Sequence, residues 1–299
     1  MASRHILYLL FPGLIALAFS PIFVRLAGNV EPLALATFRT MFASLILLPF
    51  WIFQKTEIKD NMGSKVSRDD YILCFFTGAL LGLHFTLWIT SLKYTSVASA
   101  SILVTIHPII LLSIEWAVLN KNFSKKTVMG IFLALAGSIF LGYSDRGITG
   151  IGSNPIKGDL FALAAALFFA IYFLGSQRLR QKLNWLNYVF PLYTAAFFCC
   201  FSFAIAGGIN LHLPTGAYLA ALGLAIGPQI IGHGSFNYAV KTVSPTLLSS
   251  LILAEPLLAT LIAIPFFGEI PGINTYLAML IISTGLYLTW SKGSSNSNP

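Results

Sequence analysis

Residues 93–108 have the sequence KYTSVASASILVTIHP, and residues 241–256, 148 positions later, have the sequence KTVSPTLLSSLILAEP. The correspondence continues to residue 142 without a gap and aligns Gly137 with Gly285. Eight of its fifty positions are identical, whereas an apolar-biased composition gives roughly four by chance. The prolines and glycines are the informative matches, because they occupy equivalent points of equivalent apolar segments. Internal repeats of hydrophobic segments are typical of secondary transporters, so the repeat favours a transport function.

The composition indicates a membrane protein. The chain has 57% hydrophobic and 9% charged residues and a mean hydropathy of +0.81. A soluble domain of that composition would have too little polar surface. The net charge of +8 is explained by cytoplasmic loops rather than by nucleic acid, because no soluble segment has a basic stripe interleaved with aromatic residues. Cys74, Cys199 and Cys200 lie in apolar segments without metal-ligand spacing, which argues for core packing.

Ten apolar segments are long enough to be predicted as transmembrane helices. They are residues 5–28, 32–53, 69–92, 97–119, 125–143, 158–181, 185–207, 216–239, 245–267 and 272–290. The first segment is too long for the apolar part of a signal peptide and has no cleavage motif, so it is counted as a span. The linker 54–68 is polar and expected to be mobile, and the tail 291–299 is expected to be disordered.

The charges between these segments predict the orientation in the membrane. With a cytoplasmic N-terminus, the inner segments hold thirteen lysines and arginines and the outer segments hold three, Lys93, Arg146 and Lys157. This asymmetry is the positive-inside pattern, and it places both termini in the cytoplasm of a multi-pass inner-membrane protein. Because each half of the repeat has five helices, the second half enters the membrane from the opposite side. The predicted fold is an all-α membrane protein of ten transmembrane helices in two inverted five-helix repeats, residues 1–147 and 148–299.

Several short motifs resemble those of one transporter family. Residues 253–257 (LAEPL) and 266–269 (FFGE), followed by Gly285, resemble the second half of an EamA-type transporter of the drug/metabolite transporter superfamily. The first-half counterparts are residues 94–101 (YTSVASAS), His107-Pro108, Gly130 and Gly137, together with Phe38-Arg39. One departure is Asn120-Lys121, where the second half has Gly268-Glu269.

The resemblance implies a ten-helix carrier that moves small metabolites, amino acids or drugs, commonly outward, without a bound cofactor. It also implies that the fifth and tenth helices are peripheral and that the other helices line a central cavity. The identity of the substrate does not follow from it.

Two ionisable residues are expected near the membrane midplane. His107 and Glu255 each lie ten residues into their segments, which is about 15 Å of helix. They are equivalent in the repeat, and each precedes a proline that frees a carbonyl on the previous turn, near Val104 and Ile252. Such groups can bind a polar substrate or a proton. Alternatively, Glu255 pairs with a neighbouring helix and His107 caps a kink.

Polar stripes mark the third and eighth segments. His84 and Trp88 are four residues apart, and Gln229, His233 and Asn237 follow the same spacing, so each set is predicted to share one helix face. These stripes either line a cavity or form hydrogen bonds between helices. The eighth segment also has Gly223, Gly227, Pro228, Gly232 and Gly234, which favour either a broken helix at a gate or close helix packing.

Two further charged residues have alternative roles. Arg39 lies about seven residues inside the second segment, where it can pair with an acid, attract an anionic substrate or extend outward to the interface. Glu115 lies near the cytoplasmic lysines Lys121, Lys125 and Lys126, so an ion pair is predicted rather than a transport role.

The predicted function is a secondary transporter that exports small metabolites such as amino acids or drug-like compounds by alternating access, with proton coupling as one option. The predicted substrate-binding residues are His84, Trp88, His107, Gln229, His233, Asn237 and Glu255. No catalytic residue, metal ligand or cofactor is predicted. The expected partners are a small-molecule substrate and the lipid bilayer but no nucleic acid; a homodimer is left open.

The alternative from another class is an intramembrane enzyme that acts on a lipid-linked substrate. It would require a paired carboxylate site, a Ser/His dyad or metal-ligand spacing such as HExxH, and the sequence has none of them. The sequence also has no glycine-rich phosphate-binding loop, which argues against a nucleotide-driven pump.

Overall fold

A computed structural model describes residues 4–54, 67–95, 97–144, 154–268 and 271–291, and all regular secondary structure in these ranges is helical. The helices are α1 (Arg4–Ala18), α2 (Ser20–Leu26), α3 (Pro32–Phe53), α4 (Arg68–Tyr94), α5 (Val97–Val104), α6 (His107–Ala117), α7 (Lys125–Ser144), α8 (Pro155–Lys182), α9 (Trp185–Ala206), α10 (Thr215–Leu224), a π-helical segment (Ala225–His233), α11 (Gly234–Ala239), α12 (Pro245–Ile252), α13 (Glu255–Phe267) and α14 (Ile273–Trp290). Most of the predicted linker, nearly all of the predicted tail and Glu269 lie outside the described residues.

Eight helical stretches within the described ranges are long and apolar enough to cross a membrane. They are Tyr8–Leu26, Pro32–Phe53, Arg68–Tyr94, Pro155–Lys182, Trp185–Ala206, Thr215–Ala239, Pro245–Phe267 and Ile273–Trp290. These stretches correspond to the first three and the last five predicted segments. The fourth predicted segment forms α5 and α6 and the fifth forms α7, and neither is among the eight. A total of ten spans therefore stays a prediction.

Two of the predicted segments are broken near their centres. The fourth divides between Val104 and His107, and the ninth divides between Ile252 and Glu255, at positions equivalent in the 148-residue repeat. In both cases a proline follows the first residue of the second helix, and it has no N–H to continue the preceding hydrogen-bond ladder. The hydrogen-bond loss expected at Pro108 and Pro256 is therefore accompanied by helix breaks at His107 and Glu255.

The eighth predicted segment contains the π-helical segment Ala225–His233. Pro228 lies inside it and cannot donate the usual backbone hydrogen bond. The Gln229 carbonyl accepts a hydrogen bond from the N–H of Gly234, five residues later, which is the π-helical spacing. Trp185 of α9 donates its indole N–H to the Gly234 carbonyl at 2.8 Å and supports this segment from outside.

Helices α4 and α8 run antiparallel through the centre of the molecule. Lys182 pairs with Asp70 at 2.7 Å at one end, and the Asn154 N–H donates to the Tyr94 carbonyl at 3.2 Å at the other. We call these ends the Arg68 end and the Tyr94 end, after the two termini of α4. On another side of α4, a Cβ at Gly82 would lie 2.8 Å from the Ala196 carbonyl of α9, so the absence of a side chain lets these two helices approach closely.

Helices α7 and α14 form a separate close pair. A Cβ at Gly130 of α7 would lie 2.6 Å from the Gly285 carbonyl of α14, and a Cβ at Gly137 would lie 2.8 Å from the Ile282 backbone nitrogen. Small residues allow such backbone approach, and dispersion contacts between the two surfaces then stabilise the pair. The aligned glycines Gly137 and Gly285 therefore have a shared packing role in the folded protein.

Candidate functional site

A central cavity lies where the two broken segments meet the polar stripes. Its volume is about 50 Å³, which is enough for a few water molecules. The polar and aromatic residues of its wall are Ser20, Arg39, His84, Phe85, Trp88, Thr105, His107, Phe169, His233 and Glu255, and Leu17, Val104 and Ile252 complete it. Five of the seven predicted site residues are thus brought together, and Arg39 joins them.

Three histidines share one side of this cavity. The rings of His84 and His233 are 6.3 Å apart between centroids, and the His107 ring lies 4.2 Å from the Phe169 ring. His84 Nδ1 is 2.9 Å from the Ala165 carbonyl oxygen. Because a carbonyl can only accept, Nδ1 donates and Nε2 of the neutral ring remains an acceptor. His107 Nδ1 is buried without a hydrogen-bond partner among the described residues, so it is available to a ligand or to water.

A guanidinium and a carboxyl group occur in the same cavity without touching. The side chain of Arg39 is only 1% exposed, and the half-buried Glu255 is close enough for the Arg39 charge to act on it. Within the described ranges, no ion pair of 4.0 Å or less joins the two, and no donor forms a hydrogen bond to the Glu255 carboxylate. The structural pairing considered for Glu255 is therefore not formed with a described residue.

Gln229 and Asn237 do not line the cavity. The Gln229 side-chain oxygen accepts a hydrogen bond from Arg39 Nε at 3.0 Å, so Gln229 lies behind the arginine. Asn237 is fully buried; its carbonyl accepts from Arg180 Nε at 3.0 Å, and its side chain lies beside the hydroxyls of Tyr172 and Tyr193. The expected stripe assumed α-helical spacing of 3.6 residues per turn. The π-helical segment Ala225–His233 departs from that spacing, and of the three residues in the stripe only His233 lines the cavity.

The surrounding helices divide into lining and supporting elements. Neither α7 nor α14 contributes a lining residue in the described ranges, as the family resemblance implied for the fifth and tenth helices. The seventh predicted helix, α9, was expected to line the cavity but also contributes none of the described lining residues. Its buried tyrosines lie behind the wall instead, and the Tyr193 hydroxyl donates to the Gln229 carbonyl at 2.6 Å.

Polar contacts connect helices at both ends of the molecule. At the Arg68 end, the fully buried Glu115 pairs with Lys121 at 2.6 Å, which confirms the predicted ion pair. Its second oxygen accepts from the Thr246 backbone N–H at 2.9 Å, at the start of α12. At the Tyr94 end, the Asp159 carboxylate accepts from the hydroxyls of Thr95 (2.8 Å) and Ser99 (2.7 Å), at the start of α5. A carboxylate from another helix therefore holds the N-terminus of each broken segment.

The cavity groups have the chemistry of a binding site. A guanidinium can donate two parallel hydrogen bonds to an anion, a carboxylate can accept from a cation, and the aromatic rings offer apolar contact. In the described part of the chain, no three His, Cys, Asp or Glu side chains are grouped so that they could hold a metal ion. These groups suit reversible binding of a polar solute that has an apolar part.

Comparisons with known proteins agree with this chemistry. The EamA-like transporter family matches residues 4–143 and 156–291. The chain is 27% identical over 266 residues to the uncharacterised transporter YwfM of Bacillus subtilis, covering 86% of this chain and 84% of that protein. It is 25% identical over 193 residues to the aromatic amino acid exporter YddG of Ancylobacter novellus, covering 62% of this chain and 64% of that protein.

A solved crystal structure also superposes on the chain. The TM-score is 0.77, and the match covers 96% of this chain and 98% of the other at 18% identity. At that identity the likeness shows the fold alone. Together with the family match and the apolar helices, it leads to one conclusion: the chain belongs to the EamA-like transporter family and is a multi-pass integral membrane transporter of a small-molecule substrate.

Proposed function

We propose that this protein is a secondary transporter that exports small metabolites, amino acids first among them, by alternating access around the central cavity. In this proposal ten transmembrane helices form two inverted five-helix repeats, residues 1–147 and 148–299. The observation that supports it most is that Arg39, Glu255 and three histidines meet at the two helix breaks. Discontinuous helices with polar groups at the midplane are the usual construction of substrate sites in secondary transporters.

Amino acids suit the cavity because both of their charged groups have a counterpart there. Arg39 is complementary to a carboxylate and Glu255 to an ammonium group, and Phe85, Trp88 and Phe169 can contact an aromatic side chain. The relative from Ancylobacter novellus is named as an exporter of aromatic amino acids. L-Tryptophan and L-phenylalanine are therefore the first compounds to test.

Alternating access is supported by polar contacts that hold the two broken segments at opposite ends of the molecule. Carboxylates hold helix N-termini at the Arg68 end and at the Tyr94 end. In this proposal one of these ends opens while the other closes as substrate passes. By the positive-inside asymmetry, the Arg68 end faces the cytoplasm of the inner membrane, where both chain termini also lie.

Proton coupling is part of the same proposal. Among the described residues, the cavity is lined by one carboxyl group, Glu255, and by three imidazoles, His84, His107 and His233, which lie near one another and near Arg39. Ionisable groups inside a transmembrane bundle are typical of proton relays. A proton taken up by Glu255 would change its attraction for a cationic substrate group, and so link proton movement to substrate movement.

Reconstituted protein tests the function directly. Purified protein in liposomes that contain a pH-sensitive dye is given radiolabelled L-tryptophan, L-phenylalanine and the other amino acids, with protein-free liposomes as the control. We expect saturable, protein-dependent movement of at least one amino acid, with a proton flux that depends on it. If no amino acid moves and a lipid is chemically modified, the intramembrane enzyme replaces the transporter. Movement without proton flux would remove only the coupling.

A further inference from the structure

Arg39 is the buried charge in this cavity that the sequence alone left without an assigned role. We propose that Arg39 is the specificity-determining residue that binds the carboxylate of the substrate, and that Gln229 is a positioning residue that aims it. This inference rests on the proposed function, because it takes the central cavity as the substrate site. It goes further in assigning one substrate group to one side chain and in giving the π-helical segment a role in recognition.

The arginine is fixed in place but only partly bonded. Its Nε–H donates to Gln229 at 3.0 Å, and its guanidinium carbon lies 3.7 Å from the centre of the Phe85 ring. A guanidinium has five N–H donors, and among the described residues only the Nε–H of Arg39 has an acceptor. The terminal nitrogens therefore remain available on a side chain that is 1% exposed and lines the cavity. Burying such a charge is costly unless a partner compensates for it.

Arg180 shows what a buried arginine with a structural role looks like in the same protein. It is 3% exposed, and its guanidinium donates through Nε to the Asn237 carbonyl at 3.0 Å and through Nη1 to the Leu183 carbonyl. It lines no part of the central cavity. Arg39 has no backbone carbonyl acceptor among the described residues and faces the cavity instead. Of these two buried arginines, Arg39 is the one whose geometry leaves a place for a ligand.

The neighbouring carboxylate does not neutralise Arg39. Glu255 lines the same cavity, yet no ion pair of 4.0 Å or less is formed between these two described residues. A guanidinium and a carboxyl group held apart in one cavity suit a ligand that has both an anionic and a cationic group. A carboxylate can accept two parallel hydrogen bonds from the two terminal nitrogens, a geometry that gives orientation as well as affinity.

Gln229 keeps the arginine in this orientation from the other half of the chain. Its carbonyl accepts from both the Tyr193 hydroxyl (2.6 Å) and the Gly234 N–H, so its backbone is held on two sides. The side-chain oxygen is thereby presented to Arg39 Nε, and this contact turns the terminal nitrogens away from Gln229. Because Gln229 lies in the π-helical segment, a movement of that segment would also move the guanidinium.

Three related compounds separate this role from a structural one. The compounds are an amino acid that the wild-type protein transports, its carboxamide, which lacks the anionic group, and its deaminated acid, which lacks the cationic group. If tryptophan is transported, they are L-tryptophan, L-tryptophanamide and indole-3-propionate. Transport Vmax/KM is measured in proteoliposomes for each compound, and its value for the amino acid is divided by its value for the amide. This acid-to-amide ratio is determined for the wild type, Arg39→Gln, Arg39→Lys and Gln229→Leu. Arg180→Lys is the control, because it changes a buried arginine that does not line the cavity.

We expect the wild type to prefer the amino acid over its amide by roughly ten- to a hundredfold, the value of a charged hydrogen-bonded contact. Arg39→Gln should bring that ratio close to one while amide transport continues. Arg39→Lys should retain part of the preference for the amino acid, because an ammonium group keeps the charge without the two-nitrogen geometry. Gln229→Leu should raise KM for the amino acid and the deaminated acid but not for the amide. Arg180→Lys should leave the ratio unchanged.

Several outcomes would overturn the inference. A wild type that transports the amino acid and its amide equally would exclude recognition of the carboxylate. Equal losses of transport for all three compounds in Arg39→Gln would show that the arginine has a structural role. If Arg39→Gln does not fold, Gln229→Leu decides, and an unchanged acid-to-amide ratio there would contradict the role of both residues. A wild type that transports no amino acid would instead refute the proposed function itself, so the two failures are distinguishable.

Discussion

The Glu255 carboxylate stands in the central cavity without a hydrogen-bond donor among the described residues. Replacing it with glutamine removes the charge and keeps the shape, so we expect Glu255→Gln to fold and insert but to lose transport or its coupling to protons. The measurement is substrate-dependent flux in proteoliposomes over a range of pH values. Normal transport by Glu255→Gln at every pH tested would reassign this residue to structure.

Glu115 is the matched control for Glu255. It is fully buried, pairs with Lys121 at 2.6 Å and accepts the Thr246 N–H at 2.9 Å. Glutamine has one acceptor oxygen in place of two, so Glu115→Gln leaves either Lys121 or the Thr246 N–H without this acceptor and should lower the melting temperature of the detergent-solubilised protein. Glu255→Gln should lower it by much less. The opposite order would show that the two carboxylates have been assigned the wrong roles.

Single residues differ in how far the sequence could place them. His107 and Glu255 were predictable because each precedes a proline at equivalent points of the repeat, and both line the cavity. The contact between Arg39 and Gln229 was not predictable, since it joins residues 190 positions apart and depends on the π-helical register. In the sequence, Arg39 was marked only by its depth in an apolar segment, and that position is compatible with three different roles.

At the scale of helices, the positions of the breaks followed from proline chemistry but the type of helix did not. Pro108 and Pro256 end α5 and α12 as expected, because a proline cannot continue the ladder of hydrogen bonds. The glycines and Pro228 of the eighth segment indicated a weakened helix, but they did not indicate a π-helical segment. Helix α9 was expected at the cavity, but its Tyr193 contacts the Gln229 carbonyl behind the wall instead. Apolar periodicity cannot distinguish these positions.

The pair of helices α7 and α14 provides a test of packing at this scale. A Cβ at Gly285 would lie 2.6 Å from the Gly130 carbonyl and 2.8 Å from Ala134 Cα, whereas a Cβ at Gly216 would meet nothing within 4 Å. Gly285→Ala must therefore separate the two helices, and overpacking typically costs about 1–3 kcal/mol. We expect a lower melting temperature in detergent for Gly285→Ala and no loss for Gly216→Ala. Equal melting temperatures would contradict the close approach of these helices.

For the whole molecule, the charge asymmetry between the apolar segments predicts the orientation. Cysteines at Ser64 and Ser295, in a background without Cys74, Cys199 and Cys200, should react only with a reagent that has been admitted to the cytoplasm. The assay is labelling of intact and permeabilised cells with a membrane-impermeant maleimide. Labelling of either position from outside intact cells would reverse the predicted topology.

The number of spans and the relation between the two halves are the features of the whole molecule that the sequence predicts least completely. Eight stretches within the described residues have the length and apolarity of a span, and ten spans with an inverted relation between the halves remain predictions. The repeat predicted equivalent helix breaks, which are present. It did not indicate that the lining of the cavity is unequal between the halves, because that depends on side chains that have diverged, such as His107 and Glu255.

Reciprocal accessibility of the two ends tests the central proposal, transport by alternating access, most directly. Single cysteines at Leu92 and Tyr218, toward the Tyr94 end, and at Asp69 and Tyr238, toward the Arg68 end, are labelled in proteoliposomes with and without a transported amino acid. A carrier that closes one end as it opens the other should show opposite changes, with labelling rising at one end and falling at the other. A rise at both ends together would describe a channel and would contradict alternating access.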